Sequence, residues 1–234
     1  MQSVTGPVLL LAVPGSGKTT VLVTRLGYMI FCRGIAPEKI LTVTYTVAAT
    51  KDMSERFASR FGQDLAGRLE FRTINGICAR LIQYYGRKTG RTAFSLLTDE
   101  KQISGILSAI YQKTERVYPT EGDLKNVRTL ITYIKNRMLN EKEIEALDKT
   151  AEIRISAIYK EYCKHLRENQ LMDYDDQMVY AYNMLRKIPW LLEYFQNQYP
   201  YICVDEAQDT SKIQHAIIAL LAYRTENLFM VGDE

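Results

Sequence analysis

Nowhere in this chain do eighteen apolar residues follow one another, so no stretch has the length of a bilayer-spanning helix. No basic start leads into an apolar run and a small-residue cleavage site, so export is not indicated. Cysteine is sparse: Cys32, Cys78, Cys163 and Cys203 are scattered, none forms a CxxC pair, and only His165 and His215 add imidazoles. That inventory argues against a structural zinc site and fits free thiols in a reducing cytoplasm. Internal repeats and low-complexity segments are lacking as well.

The residues that are present suit a soluble globular protein. Of 234 residues, 47% are hydrophobic and 24% charged, enough apolar material for one large domain or two small ones. The net charge of +3 is unevenly spread. Residues 1–86 carry 10 basic and 5 acidic side chains, and residues 87–171 carry 16 and 12. Residues 172–234 reverse the balance with 4 and 10, gathering acids where metal-binding carboxylates would be useful.

"PVLLLAV" (Pro7–Val13) is a continuous apolar run ending in Pro-Gly-Ser-Gly, the pattern of a strand buried on both faces. A helix is expected from about Lys18 to Phe31, a strand over Lys39–Thr46, a helix closed by Gly62, a strand over Leu69–Thr73 and a helix over Asn75–Tyr85. This alternation predicts an α/β fold with a parallel sheet and crossover helices. From Gly86 to about Gln170 strand-like runs give way to long amphipathic stretches, Asp99–Tyr111, Asp123–Arg137 and Glu141–Arg167. They read as a mostly helical insertion. Two further buried strands, Tyr201–Ala207 and Asn227–Asp233, flank a helix over Ser211–Leu221. The expected divisions are 1–86, 87–171 and 172–234.

The turn Gly15-Ser16-Gly17-Lys18-Thr19 lies where a strand feeds a helix. Backbone N–H groups there can wrap a phosphate, and the helix dipole favours the anion. Lys18 would reach the terminal phosphates and the Thr19 hydroxyl would ligate Mg²⁺. Ala12 stands where the strictest form of the pattern has Gly, and Pro14 and Thr20 complete the loop. The bland alternative is a Gly-rich turn beside a surface lysine. Val204-Asp205-Glu206 ends a buried run, so Asp205 is placed to hold a metal and Glu206 to orient and deprotonate a water. Alternatively these acids cap the following helix, a task Asp209 or Ser211 can also perform. "MDYDDQM" (Met172–Met178) suggests either a second metal cluster or, more simply, acids at a helix start. Tyr84, Tyr85, Tyr180, Tyr182 and Trp190 fall on helical spacing and read as core or interface.

The segments "AVPGSGKT", "TVTYTVAATKDMSERF", "TINGICARLI", "MDYDDQM", "VDEAQDTSKIQ" and "LFMVGD" occur in the order found in the UvrD/Rep/PcrA family of superfamily 1 DNA helicases, which this chain resembles. The resemblance implies a P-loop NTPase, RecA-like sheet with an inserted helical subdomain. It also implies ATP and Mg²⁺ as cofactors, and 3′-to-5′ translocation on single-stranded DNA with unwinding at duplex junctions. By position, Lys18 and Thr19 would bind phosphate and metal, Asp205 metal, and Glu206 would activate water. Gln208 resembles the residue that senses the terminal phosphate. Thr44 and Tyr45, with Thr73 and Asn75, match DNA-contacting stretches. Tyr45 would offer a stacking face to a base, the alternative being a tyrosine packed at a strand end.

Departures from the pattern are specific. Val47-Ala48 replaces the usual Asn-Lys, Thr20 replaces an arginine, and Asn75-Gly76 stands for His-Ser. A lost phosphate-facing lysine is expected to flatten the salt dependence of DNA binding. The chain reads as the N-terminal motor fragment of a cytoplasmic helicase, weak in activity alone. It would lack the adenine-recognising glutamine, for which Gln2 lies too near the strand, and the second RecA-like domain with its arginines. Repair proteins are possible partners of the parent. Two other readings stay open: the helicase part of an AddA/RecB-type helicase–nuclease, and a nucleotide-gated binding module without motor activity.

Overall fold

A computed structural model describes residues 4–13 and 15–233. The chain divides into two compact units, Met1–Leu81 with Ala181–Glu234, and Ile82–Tyr180.

The first unit is built on five parallel strands, β1 (Val8–Leu11), β2 (Ile40–Thr44), β3 (Glu70–Thr73), β6 (Tyr201–Val204) and β7 (Leu228–Gly232), in the spatial order β1-β7-β6-β2-β3. The register is fixed by pairs such as Leu10 with Val231, Val204 with Met230, and Val43 with Val204. β2 is Ile-Leu-Thr-Val-Thr and buried at every position, as expected of a parallel strand covered on both faces. The expected α/β class and parallel sheet are therefore borne out.

α1 (Lys18–Phe31) places Leu22, Val23, Leu26 and Met29 in the same core as Ile40, Cys203, Phe229 and Val231. Full burial of each such side chain is worth about 1.5–3 kcal/mol. α2 (Val47–Phe61) adds Met53 and Phe57, and Phe61 rests on Gly27, where a Cβ would lie 2.3 Å from the ring. Arg25 enters this core with its guanidinium 4.1 Å from the Phe229 ring centroid, and burial lowers its pKa. α11 (Lys212–Ala222) follows Ser211, whose N–H donates to the Gln214 side chain.

The second unit holds α5 (Glu100–Glu115), α6 (Glu121–Arg137), α7 (Glu141–Ala151) and α8 (Ile155–Glu168) around Leu107, Val127, Ile131, Ile155, Ile158 and Tyr162. Reciprocal capping boxes, Thr120 with Asp123 and Asn140 with Glu143, start α6 and α7. α4 (Ile74–Thr89) and α9 (Tyr174–Lys187) run on from one unit into the other. Pro189 opens α10 (Pro189–Gln198), on which Trp190 remains 44% exposed.

Four local expectations are corrected. β1, expected to be buried on both faces, is an edge strand that alternates, with Leu9 59% and Leu11 49% exposed. The stretch Glu141–Arg167 is two helices: Glu152 adopts φ +56°, and Asp148 accepts bonds from the Ser156 N–H and hydroxyl, closing a corner that lets Ile155 reach the core. Strands do not vanish from the middle region, because β4 (Ser95–Leu96) pairs in parallel with β5 (Leu171–Met172). A further short helix, α3 (Gln63–Arg68), precedes β3.

Candidate functional site

Because the five strands are parallel, every segment that follows a strand emerges at the same edge of the sheet. Lys18 follows β1, Tyr45 follows β2, Asn75 follows β3, Asp205 to Gln208 follow β6, and Asp233 follows β7. Residues far apart in sequence are thus gathered by topology alone, in the crevice where such sheets bind ligands.

The turn after β1 has left-handed backbone at Gly15 (φ +78°) and Gly17 (φ +83°), conformations that cost other residues roughly 1–2 kcal/mol. Gly17 is the N-cap of α1 and provides no side-chain cap, and no acid stands in the helix's first turn. The first-turn N–H groups are therefore without side-chain partners at the N-cap, the arrangement suited to an anion. Gly15, Ser16 and Gly17 are exposed, Ala12 is half-buried, and Ala12 N–H donates to Gly232 O at 3.1 Å. Thr20 is exposed, while Pro14 lies outside the described residues.

Lys18 is buried, with its ammonium paired to the Asp233 carboxylate. That hydrogen bond, together with the nearby negative charge, raises the lysine pKa. The Thr19 hydroxyl lies 3.5 Å from Asp205 Oδ2, so a hydroxyl and a carboxylate converge on one point. These hard oxygen donors are the kind that suits Mg²⁺. Asp205 is 6% exposed, and burial, reinforced by the Glu206 charge, pushes its carboxyl up from the usual range. A divalent cation would relieve that penalty. Among the described residues no group of three or more His, Cys, Asp or Glu forms a ready metal cluster. The donor set is thus a partial one, suited to a cation that keeps waters and phosphate oxygens.

Glu206 sits in left-handed backbone, φ +50° and ψ +51°, a sparsely populated state for a non-glycine residue. Its carboxylate accepts from Gln208 Nε2 at 2.7 Å. Gln208 also accepts from the Asp233 N–H at 3.0 Å, with its amide nitrogen 3.4 Å from Asp233 Oδ2. The structure therefore brings together Lys18, Thr19, Asp205, Glu206 and Gln208, and adds Asp233. Sequence reasoning passed over Asp233, whose place beside the phosphate turn is set by the pairing of β1 with β7.

The stretches matched to DNA contact divide. Thr44 is buried, with its hydroxyl bonded to Thr50 Oγ1 at 2.5 Å and to Thr46 O at 3.2 Å. Thr46 in turn caps α2 by accepting from Ala49 N–H. Tyr45 is 54% exposed and Val47 77% exposed, so the tyrosine is presented rather than packed away. Thr73 accepts from Gly76 N–H at 3.1 Å. Asn75 Oδ1 is buried without a hydrogen-bond partner among the described residues. A small cavity lined by Thr44, Tyr45, Ile74 and Asp205 connects the first of these stretches with the buried carboxylate.

The acids of "MDYDDQM" have a different task. Asp173 accepts from the Asp176 N–H at 2.7 Å, as a helix start requires. Both carboxylates then bind the buried Lys135 ammonium, at 2.7 and 2.8 Å. Asp175 accepts from Thr132 and Asn136.

A parallel sheet whose first strand feeds a Gly-Ser-Gly-Lys-Thr turn, facing carboxylates that follow β6 and β7 at the same sheet edge, defines a P-loop α/β protein of RecA-like type. The sequence profile of the UvrD/REP helicase N-terminal domain matches residues 1–234, and the chain belongs to that family. It is 30% identical over 236 residues to the ATP-dependent DNA helicase PcrA of Staphylococcus aureus, and 31% identical over 236 residues to that of Staphylococcus epidermidis. In both comparisons all of this chain is covered and 32% of the relative, so the chain spans about a third of their length.

Proposed function

We propose that this chain is the nucleotide-binding part of an ATP-dependent DNA helicase that moves 3′-to-5′ on single-stranded DNA and opens duplex junctions. The observation that carries the reading is the convergence of Lys18, Thr19, Asp205, Glu206 and Gln208 at one sheet edge, around uncapped first-turn N–H groups. In the nucleotide-bound state the turn from Ala12 to Thr20 cradles the phosphates. Lys18 neutralises their charge. Thr19 and Asp205 hold Mg²⁺, which supplies electrostatic stabilisation of the phosphoryl group being transferred.

Glu206 accepts the proton of the attacking water, and the Gln208 amide fixes its carboxylate at 2.7 Å. Family membership and the PcrA relatives' names support ATP as the nucleotide and DNA as the track. Tyr45 gives a base a π face to stack on, which is sequence-tolerant. Thr44 sets the strand end on which Tyr45 stands, and Thr73 and Asn75 flank it from the next strand. A cytoplasmic setting accords with four free thiols.

The test is ATP hydrolysis by the full-length protein with and without single-stranded DNA. Stimulation by DNA, lost in Lys18→Ala, is the expected result; unstimulated turnover that survives Lys18→Ala would refute the motor reading.

A further inference from the structure

The Lys18 ammonium does not stand open at the mouth of the phosphate turn. It is held by Asp233, at the end of β7, with side-chain exposures of 9% and 28% for the two partners. Asp233 is itself fixed from behind: its N–H donates to Gln208 Oε1 at 3.0 Å, and its second carboxylate oxygen lies 3.4 Å from Gln208 Nε2. The two segments approach closely there. A Cβ on Gly232 would come within 3.0 Å of Gln208 Oε1 and 3.4 Å of the Ala207 Cβ. Lys18, Asp233, Gln208 and Glu206 thus form one chain of contacts, from the phosphate turn to the water-orienting carboxylate.

A carboxylate on the lysine is an anion in the place where a phosphate oxygen would go. Both anions cannot hold one ammonium in the same way, and the phosphate carries more charge and more acceptor oxygens. Once displaced, Asp233 stands near a polyanion and beside Glu206, so repulsion favours movement of the end of β7 and of the Gln208 amide bonded to it.

We infer that Asp233 is the resting counter-ion of Lys18, exchanged for the nucleotide's terminal phosphate, and that its displacement reports phosphate occupancy to Gln208 and Glu206. The inference rests on the reading of Lys18 as a phosphate ligand and assigns Asp233 a positioning role in that site. It also gives Asp233 a measurable cost: nucleotide affinity is lower than the site's donors alone would provide.

The test is a double-mutant cycle on Mg-nucleotide affinity, read by titrating the 234-residue chain with N-methylanthraniloyl-ATP and Mg²⁺. Asp233→Asn is expected to bind roughly tenfold tighter than wild type, the scale of one charge-assisted contact. In the Lys18→Ala background the same change is expected to tighten binding by about threefold or less, since only general repulsion by the carboxylate is then relieved. Asp233→Ser gives a second route should the asparagine variant fold poorly, with thermal melting as the control for both. Equal tightening in the two backgrounds, or none in wild type while Lys18→Ala weakens binding, overturns the latch and leaves the phosphate site standing. Indifference of affinity to Lys18→Ala overturns both.

Discussion

Lys18 and Asp233 are 215 positions apart in sequence and share an ion pair at the C-terminal edge of the sheet. The pair exists because β1 and β7 are adjacent and parallel, in register from Val8 with Phe229 to Leu11 with Gly232. The turn leaving β1 must therefore face the residues leaving β7. Asp205 follows β6, one strand beyond β7, and the shared strand direction brings it to the edge that Thr19 occupies, so the strand order is the source of the site's chemistry.

The scaffold under the phosphate turn depends on a close approach of helices. Gly27 of α1 sits beneath Phe61, whose ring also contacts Phe31 and Phe57 with centroids 5.6 and 4.9 Å away. Gly27→Ala is expected to destabilise the chain by about 1–3 kcal/mol, the usual cost of overpacking. Urea denaturation checks this; a stabilised variant would mean that the ring moves aside freely.

Lys135 is 3% exposed and bonded to two carboxylates. Lys135→Met leaves Asp173 and Asp176 without their cation, at a cost of about 3–5 kcal/mol. Restoring neutrality with Asp173→Asn and Asp176→Asn in the same chain is expected to recover much of that loss in urea titrations.

Asp175 supplies a pH dependence. Burial raises its carboxyl above the ordinary 3.8, partly offset by the bonds from Thr132 and Asn136. Between 3.8 and the raised value the folded state holds more protons than the unfolded chain. The group's contribution to stability is thus complete below the unfolded pKa and lost as pH rises through the folded one. Asp175→Asn removes this titration, so its stability relative to wild type should improve between about pH 4 and about pH 7. Paired urea titrations at those pH values measure the difference.

The cysteines predict a labelling pattern. Burial pushes the Cys78 and Cys203 thiols up to about 12, whereas Cys32 is exposed. At about pH 8 a thiol reagent should modify the exposed Cys32 first. Cys78 and Cys203 should react only after unfolding, as mass spectrometry of digested protein would show.

Tyr45 is exposed at the end of β2, and a base stacked on it is worth about 1–3 kcal/mol. Tyr45→Ala is expected to weaken single-stranded DNA binding about 5- to 100-fold, a range equivalent to that energy, with Mg-nucleotide affinity in the absence of DNA unchanged. Fluorescence anisotropy with a labelled oligonucleotide gives the comparison.

Much of this architecture was legible in the sequence because β1, β2, β6 and β7 lie in short apolar runs, and the phosphate turn carries its own punctuation. Lys18, Thr19, Asp205 and Glu206 could be named for that reason. The rest failed for identifiable causes. Gln63–Arg68 is too short to show a helical period. The break at Glu152 contains neither Gly nor Pro, so an apolar rhythm appeared to continue across it. Nothing local marks Lys135 within the amphipathic stretch Asp123–Arg137, since its partners lie 38 and more residues away. Asp233 escaped because its meaning is set by strand order, and strand order is not written in any local pattern.

The most direct measurement is calorimetric titration of Mg-ATP into this chain and into Lys18→Ala under the same conditions. The expected result is saturable binding by the wild-type chain that the substitution weakens about tenfold or more, the loss of one charge-assisted contact. Equal affinity in the two proteins, with the fold intact, would contradict the assignment of the Gly15–Thr19 turn as the phosphate site.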